Sequence, residues 1–396
     1  MRIALVSSGL VPLPPTKGGA VEEYVCQLVK HLRRFGVDAV AIDARWDGNS
    51  IEVESINDVE IVKLPVKPPQ INFKRNIIME LMFGRAVSKY LKNRKDFDIV
   101  HANTAFVGYS LAMNINRTYR YVYTCHNPLW PEEKVYLSEK IIRLIEGYTM
   151  RASDIVVALN KTMYKAIINK AGVKKYKVII VPNGVDIDFF KPGLNKDYIL
   201  AKFGLEQQNY VLFVGRIIPG KGVHLLLKAF KQVINELTYR IKLVVVGPFT
   251  RSFTSNDIST YAKVLMKYAE KELRGRVVFT GPVDRNVLRI LYSNAYCLVL
   301  PSFTEAFPMV LLEAMASGIP LIGSTAGGIP DIIIDGVNGL LFRKGDWRDL
   351  AEKLSTLLND KDLRNKLAIN ARNIAEKLYS WEIIAFKLKN YYKALM

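Results

Sequence analysis

One stretch of the sequence combines two carboxylates with the start of a helix. It runs from Pro301 to Gly318 and follows an apolar run, 297–300, that is typical of a buried strand end. Pro308 suits the first turn of a helix, and Ala, Leu and Met continue that helix until Gly318. Backbone N–H groups at a helix start bind anions. The stretch therefore predicts a strand, a loop and an anion-binding helix.

The two carboxylates belong to Glu305, on the predicted loop, and Glu313, inside the predicted helix. Carboxylates beside an anion site are unusual unless the ligand also carries hydroxyl groups that donate to them. The predicted amides, from about Met309 to Leu311, would hold phosphate oxygens while the carboxylates accept hydrogen bonds from sugar hydroxyls. The expected ligand is therefore a phosphate that carries a sugar.

A second motif follows the predicted strand 210–214 and contains Gly215, Arg216 and Lys221. It nearly matches the P-loop Gly-x4-Gly-Lys-[Ser/Thr], but Gly222 stands where the magnesium-binding hydroxyl would be. A nucleotide-hydrolysing P-loop is therefore disfavoured. Two cations at a strand end suit a diphosphate bound without metal. The alternative is that both are solvated surface cations.

Two loops in the first half also follow strands. Gly18 and Gly19 end a proline-bearing loop at a helix start, where glycine lets backbone approach a phosphate closely. The alternative is a flexible loop with a glycine cap. His126 and His101 each end an apolar strand, where a histidine is either a ligand-binding or a hydrogen-bonded structural residue.

The elements that must position these residues alternate between strands and helices, which predicts parallel, doubly wound sheets. A chain of 396 residues suggests two such Rossmann-like domains, 1–190 and 191–378, joined within 183–195. Ligands of this fold lie at the carboxyl ends of the strands. The predicted strands are 2–7, 38–43, 59–64, 98–101, 120–125, 154–158, 177–181, 210–214, 242–246, 277–280, 297–300, 320–322 and 340–342.

The composition favours a globular protein of the cytoplasm with anionic ligands. The net charge is +19 and is spread over both halves, which fits anionic ligands or an anionic membrane surface better than a nucleic-acid-binding tail. No apolar run approaches about 18 residues, so no membrane span is expected. The first residues enter a strand at once, so no signal peptide is expected. The three cysteines are far apart and are interpreted as core residues in a reducing compartment.

Together these motifs resemble the retaining GT-B glycosyltransferases of family 4, also called glycosyl transferases group 1. The resemblance runs nearly from end to end. It is carried by Gly18-Gly19-Ala20, His126, Pro182-Asn183-Gly184-Val185-Asp186, Gly215-Arg216, Lys221-Gly222, Pro301-Ser302, Glu305, Glu313 and Gly327-Gly328-Ile329-Pro330. It implies two Rossmann-like domains facing across a cleft, with residues 379–396 forming a helix that crosses back to the first domain.

The resemblance also implies a reaction: a UDP-, GDP- or ADP-sugar donates its sugar to a hydroxyl of a glycan, lipid or small molecule, without a cofactor. Arg216 and Lys221 would neutralise the diphosphate, Glu305 would hold the transferred sugar, and His126 would hydrogen-bond it. The implied donor-binding residues are Gly18, Gly19, Gly215, Val283, Phe307, Pro308, Met309, Val310 and Glu313. Val21 separates Glu22 from the glycine motif, which argues against a role for Glu22.

The expected chemistry needs no metal. The sugar–phosphate bond loosens toward an oxocarbenium-like state, and cations and helix amides stabilise the charge that the leaving diphosphate gains. Two Asp-x-Asp matches, 96–98 and 186–188, fall before a strand and in the junction, where turn chemistry explains them.

The acceptor is expected in the first domain. Residues 71–95 combine apolar and basic side chains, which suits peripheral attachment to anionic lipid on the inner membrane face. The alternative is a core-facing helix with a basic outer face.

Three other functions stay open at this point: a nucleotide-sugar epimerase of the same fold, a glycoside hydrolase using Glu305 and Glu313, and a nucleic-acid binder. A hydrolase is disfavoured because its mechanism would give Arg216 and Lys221 no function. A nucleic-acid binder is disfavoured because the sequence has no basic stripe and no aromatic residues interleaved with basic ones.

Overall fold

Apolar strand segments and amphipathic helices alternate along the chain, as the sequence predicts. The structure is a computed structural model, and it describes residues 1–15, 19–46, 48–70, 75–92, 94–127, 130, 132, 136–194, 196–236, 240–249 and 258–396, without the side chains of 75 and 138. Gly18 and residues 71–74, which the sequence singles out, lie outside the described residues.

The strands are β1 (Arg2–Val6), β2 (Asp38–Arg45), β3 (Glu52–Ile56), β4 (Val59–Pro65), β5 (Ile99–Ala102), β6 (Arg120–Cys125), β7 (Ile155–Ala158), β8 (Val178–Ile180), β9 (Tyr210–Val214), β10 (Lys242–Val246), β11 (Val277–Gly281), β12 (Cys297–Leu300), β13 (Leu321–Ser324) and β14 (Gly339–Phe342).

The α-helices are α1 (Ala20–Arg34), α2 (Arg75–Lys92), α3 (Ala105–Ala112), α4 (Leu137–Ala152), α5 (Lys161–Ala171), α6 (Asp197–Ala201), α7 (Val223–Ile234), α8 (Thr260–Leu273), α9 (Arg285–Ser293), α10 (Met309–Ala316), α11 (Trp347–Asn359), α12 (Lys361–Ile374) and α13 (Trp381–Leu395). A π-helical turn, Ala375–Tyr379, follows α12.

The chain divides into two compact units, Met1–Gly184 with Trp381–Met396, and Val185–Ser380. The division at Gly184 falls within the junction 183–195, and residues 185–190, assigned to the first domain from the sequence, lie in the second unit.

The first unit holds a sheet in the order β3-β4-β2-β1-β5-β6-β7-β8. Its strands are parallel except β3, which pairs antiparallel with β4. The strand β3 was not predicted, because its sequence, Glu-Val-Glu-Ser-Ile, lies at the sheet edge and is mostly exposed. It therefore lacks the apolar run by which buried parallel strands are recognised.

The second unit holds a parallel sheet in the order β11-β10-β9-β12-β13-β14. The chain adds β10 and β11 on one side of β9 and then places β12 on the other side. The boundary between β9 and β12 is thus a topological switch point. Ligands of doubly wound sheets bind beyond the carboxyl ends of the strands at such a point.

The last helix, α13, belongs to the first unit, as the resemblance implied. Trp381 and Tyr392 on this helix are only 2% and 1% exposed. The Trp381 ring packs so close to Gly184 that a Cβ on this glycine would lie 2.5 Å from it. The helix therefore completes the core of the first unit.

Within the described residues, no helix is both long and apolar enough to cross a bilayer. All three cysteines are buried and unpaired, in agreement with the sequence interpretation.

Candidate active site

The loops after β9 and β12 contact each other backbone to backbone. Gly222, in the first loop, has a φ of +70°, and a Cβ there would lie 2.0 Å from the carbonyl oxygen of Pro301, in the second. The N–H of Phe303 donates to the carbonyl of Gly220 at 2.8 Å. The two motifs that the sequence singled out separately therefore meet at the switch point of the second unit.

Lys221 and Glu305 form an ion pair at this meeting point, with 2.6 Å between Nζ and Oε1. Glu305 is only 7% exposed, and the Ser302 hydroxyl donates to the same Oε1 at 2.7 Å. Among the described residues, the hydrogen bonds of this carboxylate all go to Oε1. Its other oxygen, Oε2, is therefore available to a ligand.

The second loop is held by a glycine from the β13 side. A Cβ on Gly327, which has a φ of +50°, would lie 2.1 Å from the carbonyl oxygen of Glu305. The same carbonyl accepts a hydrogen bond from the N–H of Gly328 at 2.9 Å. The glycine-rich motif after β13 thus supports the backbone that carries Glu305.

Glu313 lies on α10 and is half-buried. The hydroxyl of Tyr292 donates to its Oε2 at 2.9 Å. Burial and the neighbouring Glu313 carboxylate raise the pKa of Tyr292, so the phenol keeps the proton that it donates. The carboxylate of Glu313 is thereby held in one orientation.

The start of α10 differs by one residue from the prediction. Pro308 is the N-cap, and Phe307 before it is buried. The N–H of Leu311 already donates to the carbonyl of Pro308 at 3.2 Å, so including Leu311 among the anion-binding amides was wrong. The amides of Met309 and Val310 remain the candidates.

The remaining predicted residues of the second unit also follow strands. Gly215 and Arg216 come directly after β9, and the Arg216 side chain is half-buried. Val283 lies two residues after β11 and is half-buried as well. All of them therefore lie at the carboxyl edge of this sheet, together with Lys221 and Glu305.

Two hydrogen-bond partners of the site's glutamates, Ser302 and Tyr292, were not predicted from the sequence. Ser302 stands three residues before Glu305, and this short spacing is a signal that could have indicated the contact. Tyr292 lies 21 residues before Glu313, on a different helix, so only the fold brings the two together.

In the first unit, Gly19 directly precedes α1 and has a φ of +127°. A Cβ there would lie 2.7 Å from Oε2 of Glu22. Glu22 is 3% exposed, accepts a hydrogen bond from the Ser8 hydroxyl, and has its pKa raised by burial. Glu22, to which the sequence analysis gave no role, thus connects the loop after β1 to the start of α1.

His126 follows β6, and its ring contacts the Tyr24 ring edge-on, with 4.9 Å between the centroids. Burial lowers the pKa of His126 to about 4, so the imidazole is neutral at physiological pH. Its buried Nε2 has no hydrogen-bond partner among the described residues. This ring therefore keeps one polar atom for a ligand.

His101 is the structural histidine of the pair. Its Nδ1 and Nε2 lie 2.6 Å from the hydroxyls of Tyr392 and Thr124, respectively. Burial, and to a smaller extent His126, lower its pKa to about 3. Both ring nitrogens are occupied, so His101 fits the sequence alternative of a hydrogen-bonded core residue.

A buried carboxylate orients the segment that carries His126. Glu146, on α4, accepts hydrogen bonds from Tyr123, Asn127 and Trp130 at 2.6, 2.8 and 2.6 Å. Burial raises its pKa. This anchor is not apparent from the sequence, because the three donors follow one another within 123–130 while their acceptor lies 16 to 23 residues later, on a different element.

The described part of the chain contains no group of three or more His, Cys, Asp or Glu side chains placed to hold a metal ion.

Two family models match successive parts of the chain. Residues 195–374 match the family model for glycosyl transferases group 1, and residues 18–189 match that for Glycosyltransferase Family 4. An uncharacterized glycosyltransferase of Methanocaldococcus jannaschii is 28% identical over 415 residues, which cover 100% of this chain and 99% of that protein.

Two solved structures share the fold along the whole chain. Sucrose-phosphate synthase from Thermosynechococcus elongatus has a TM-score of 0.83 at 24% identity, and the match covers 100% of this chain and 99% of that one. HepE of Anabaena, in complex with UDP-glucose, has a TM-score of 0.75 at 21% identity and is covered completely, as is this chain.

Proposed function

Because this chain belongs to the glycosyltransferases, with a group 1 second half and a Family 4 first half, we propose that it transfers a sugar from a nucleoside-diphosphate sugar to a hydroxyl acceptor. The observation that carries this function is the ion pair of Lys221 and Glu305 at the switch point of the second sheet. The structural neighbour that binds UDP-glucose supports a UDP-sugar as the first donor to test, before GDP- and ADP-sugars.

Lys221 and Arg216 would neutralise the charge that the leaving diphosphate gains, together with the first amides of α10. Glu305 already shares one oxygen with Lys221 and Ser302, and its Oε2 would accept a hydroxyl of the transferred sugar. Glu313, held by Tyr292, would accept the ribose hydroxyls. Gly215, Val283, Phe307 and Pro308 would shape the surface around the nucleotide.

The first unit would contribute His126 and Gly19. A neutral imidazole with an unused Nε2 suits a hydrogen bond to the transferred sugar. Gly19, with no side chain and a positive φ, would let backbone approach the phosphate. Gly18 keeps the same assignment on sequence grounds alone.

We also propose that the anomeric configuration is retained and that no metal takes part. Glu305 Oε1 is engaged by a cation and a hydroxyl, which makes it a weak nucleophile. In the proposed step the acceptor oxygen bonds to the anomeric carbon on the same face that the phosphate leaves, as the bond to phosphate breaks, and the acceptor proton passes to the leaving phosphate. The anomeric coupling in the NMR spectrum of the product distinguishes retention from inversion.

If α2 binds a membrane surface, the enzyme would meet lipid-linked alcohols there, and these would be among its acceptors. Arg85, Lys89 and Lys92 are exposed and recur at helical spacing on α2, which supports peripheral binding to anionic lipid on the inner membrane face. We expect the wild type to sediment with anionic vesicles at low salt and Lys89→Glu/Lys92→Glu to remain in solution.

A matched comparison uses α4, on which Leu137 and Leu144 are 75% and 70% exposed. If the α4 variant Leu137→Ser/Leu144→Ser loses vesicle binding while the α2 variant keeps it, the membrane contact lies on α4 and not on α2. No binding by the wild type would exclude membrane attachment.

The experiment that tests the main function is a thermal-shift screen with UDP-, GDP- and ADP-sugars, followed by a transfer assay with the donor that binds. A ligand that binds only the native state raises its stability. One donor should raise the melting temperature and be consumed when an acceptor is present. Isomerised donor without acceptor would indicate an epimerase, and cleavage of a simple glycoside without nucleotide would indicate a hydrolase.

A further inference from the structure

A cavity of about 290 Å³ opens at the opposite edge of the second sheet. It is lined by the residues just before β12 and β13, by the end of α10, and by one face of α12. Strand amino ends face this cavity, whereas Lys221 and Glu305 follow the carboxyl ends of β9 and β12. It is therefore separate from the candidate donor site.

Arg364, on α12, lines this cavity and is only 8% exposed. Its guanidinium stacks on the Tyr296 ring, with 4.3 Å between its central carbon and the ring centroid. Within the described residues this side chain has no carboxylate partner and donates no hydrogen bond. A guanidinium does not lose its proton in proteins, so this mostly buried residue carries a full positive charge.

Ser317, the C-cap of α10, lines the same cavity and is 1% exposed. Its hydroxyl oxygen also has no hydrogen-bond partner in the part of the chain that the structure describes. A buried polar group without a partner costs free energy, and most such groups are satisfied by protein, water or ligand. Two buried donors thus share one cavity and lack acceptors.

The lining of the cavity contains no acidic residue, so nothing in it neutralises Arg364. A buried charge without a counter-charge is strongly unfavourable. The geometry points to a bound anion: we propose that the cavity is a binding site for phosphate, either free or as the phosphate group of a small metabolite. Arg364 and Ser317 would donate to its oxygens, since guanidinium and hydroxyl donors match phosphate geometry.

The dimensions of the cavity limit the ligand to a small one. At about 290 Å³ it lies near the lower end of ligand pockets, which hold about 300 Å³ or more. Gln207, Gln208 and Asn365 at its lining add polar groups that suit hydroxyls attached to the phosphate. The position at the end of α10 also places such a ligand on the helix whose first turn belongs to the candidate donor site.

Isothermal titration with inorganic phosphate and with a hexose phosphate, at constant ionic strength, tests this site. The wild type and Lys221→Ala, which weakens any phosphate binding at the donor site, should both bind. Arg364→Gln should weaken binding at least tenfold, and Ser317→Ala should weaken it severalfold. Lys366→Gln, which removes an exposed charge from the same helix, is the matched control and should bind as the wild type does.

Tighter binding of the hexose phosphate than of phosphate would identify a phosphorylated metabolite, and equal binding would identify free phosphate. No binding by the wild type at about 10 mM phosphate, or equal binding by the wild type and Arg364→Gln, would overturn the site. Because an unpaired buried charge destabilises the ligand-free protein, Arg364→Gln should fold and melt in phosphate-free buffer at or above the temperature of the wild type. A marked decrease would instead show that Arg364 has a structural role.

Discussion

Glu305 shows how one residue combines a structural with a chemical role. One carboxylate oxygen is engaged by Lys221 and Ser302, and the other is left for a ligand. The ion pair is largely buried, because the Glu305 and Lys221 side chains are only 9% and 23% exposed. Lys221 therefore compensates the charge of the glutamate, and in the proposed donor complex the same ammonium would face a diphosphate.

We expect Lys221→Ala to lower turnover at least tenfold. A charge-assisted hydrogen bond contributes about 1.5–3 kcal/mol, and about 1.4 kcal/mol corresponds to a tenfold change in rate. The measurement is kcat with the donor that the thermal-shift screen identifies. Lys228→Ala, on the exposed side of α7, is the control and should retain full turnover. Unchanged kcat in Lys221→Ala would remove this residue from the mechanism.

We expect His101 to make stability depend on pH. Its pKa is about 3 in the folded protein and about 6.5 in an unfolded chain, so acid protonates the unfolded state first. The stabilising effect is complete above about pH 6.5 and is lost as the pH falls toward 3. Relative to His101→Gln, the wild type should lose about 2 kcal/mol between pH 6.5 and 5, at about 1.4 kcal/mol per pH unit.

Urea unfolding of both proteins at each pH measures the difference in unfolding free energy. The buried carboxyl groups of Glu22 and Glu146 have raised pKa values and make stability rise as the pH falls, but they do so in both proteins and therefore cancel in the difference. Parallel pH profiles for the wild type and the variant would contradict the assignment of His101.

At the scale of elements, the candidate site depends on two strand-end loops whose backbones are in contact. Gly222 and Gly327 each face a backbone carbonyl at a distance that leaves no room for a Cβ. Their positive φ angles are a second reason for glycine. Both glycines therefore help to position the loops that carry Lys221 and Glu305.

We expect Gly222→Ala to destabilise the second unit and to weaken donor binding. Its Cβ would lie 2.0 Å from the Pro301 carbonyl oxygen, so one of the loops must move. Gly336→Ala is the matched control, because Gly336 has a φ of +73° and no atom within 4 Å of the added Cβ. The control should cost about 1 kcal/mol of unfolding free energy, the usual strain of a left-handed residue, and Gly222→Ala distinctly more.

Equal losses of unfolding free energy in these two variants would show that backbone strain, and not contact between the loops, explains the glycine at 222.

At the scale of the whole molecule, each unit is built on its own parallel sheet, and the chain returns to complete the first one. The helix α13 supplies Trp381 and Tyr392 to the core of that unit, where Tyr392 contacts His101, 291 residues earlier in the chain. The core of the first unit therefore includes the last helix of the chain.

We expect Trp381→Ala to destabilise the first unit by about 3–5 kcal/mol, the usual cost of truncating a buried aromatic side chain. Phe386→Ala on the same helix is the control, since Phe386 is 51% exposed and should lose much less. Urea unfolding followed by far-ultraviolet circular dichroism, which does not depend on the removed tryptophan, measures the unfolding free energy of both variants. A small loss in Trp381→Ala would indicate that α13 contributes little to this core.

We expect turnover to be unchanged after EDTA treatment and exhaustive dialysis, because in the proposed mechanism Arg216, Lys221 and the helix amides would stabilise the charge of the leaving diphosphate. The assay compares treated enzyme with and without added magnesium or manganese. A loss of turnover that either ion restores would show that a metal takes part in the reaction.

The sequence by itself determined the two parallel sheets and their strand-end motifs. Buried parallel strands are continuous apolar runs in the sequence. The glycine, proline and charged residues at their ends are local features as well, so neither signal depends on the fold. The edge strand β3 escaped because its exposed residues carry no such run. The Lys221 and Glu305 motifs were each identified, and their shared edge followed from the fold class.

Only the tertiary structure decided which side chains are partners. It separated His101, with both nitrogens bonded, from His126, although the two have the same sequence context. It brought Tyr292 to Glu313, gave Glu22 a partner in Ser8, and left Arg364 mostly buried with no carboxylate partner among the residues that the structure describes. These contacts join residues far apart in the chain, and burial and pKa depend on every element packed around a group. No local pattern of residues encodes them.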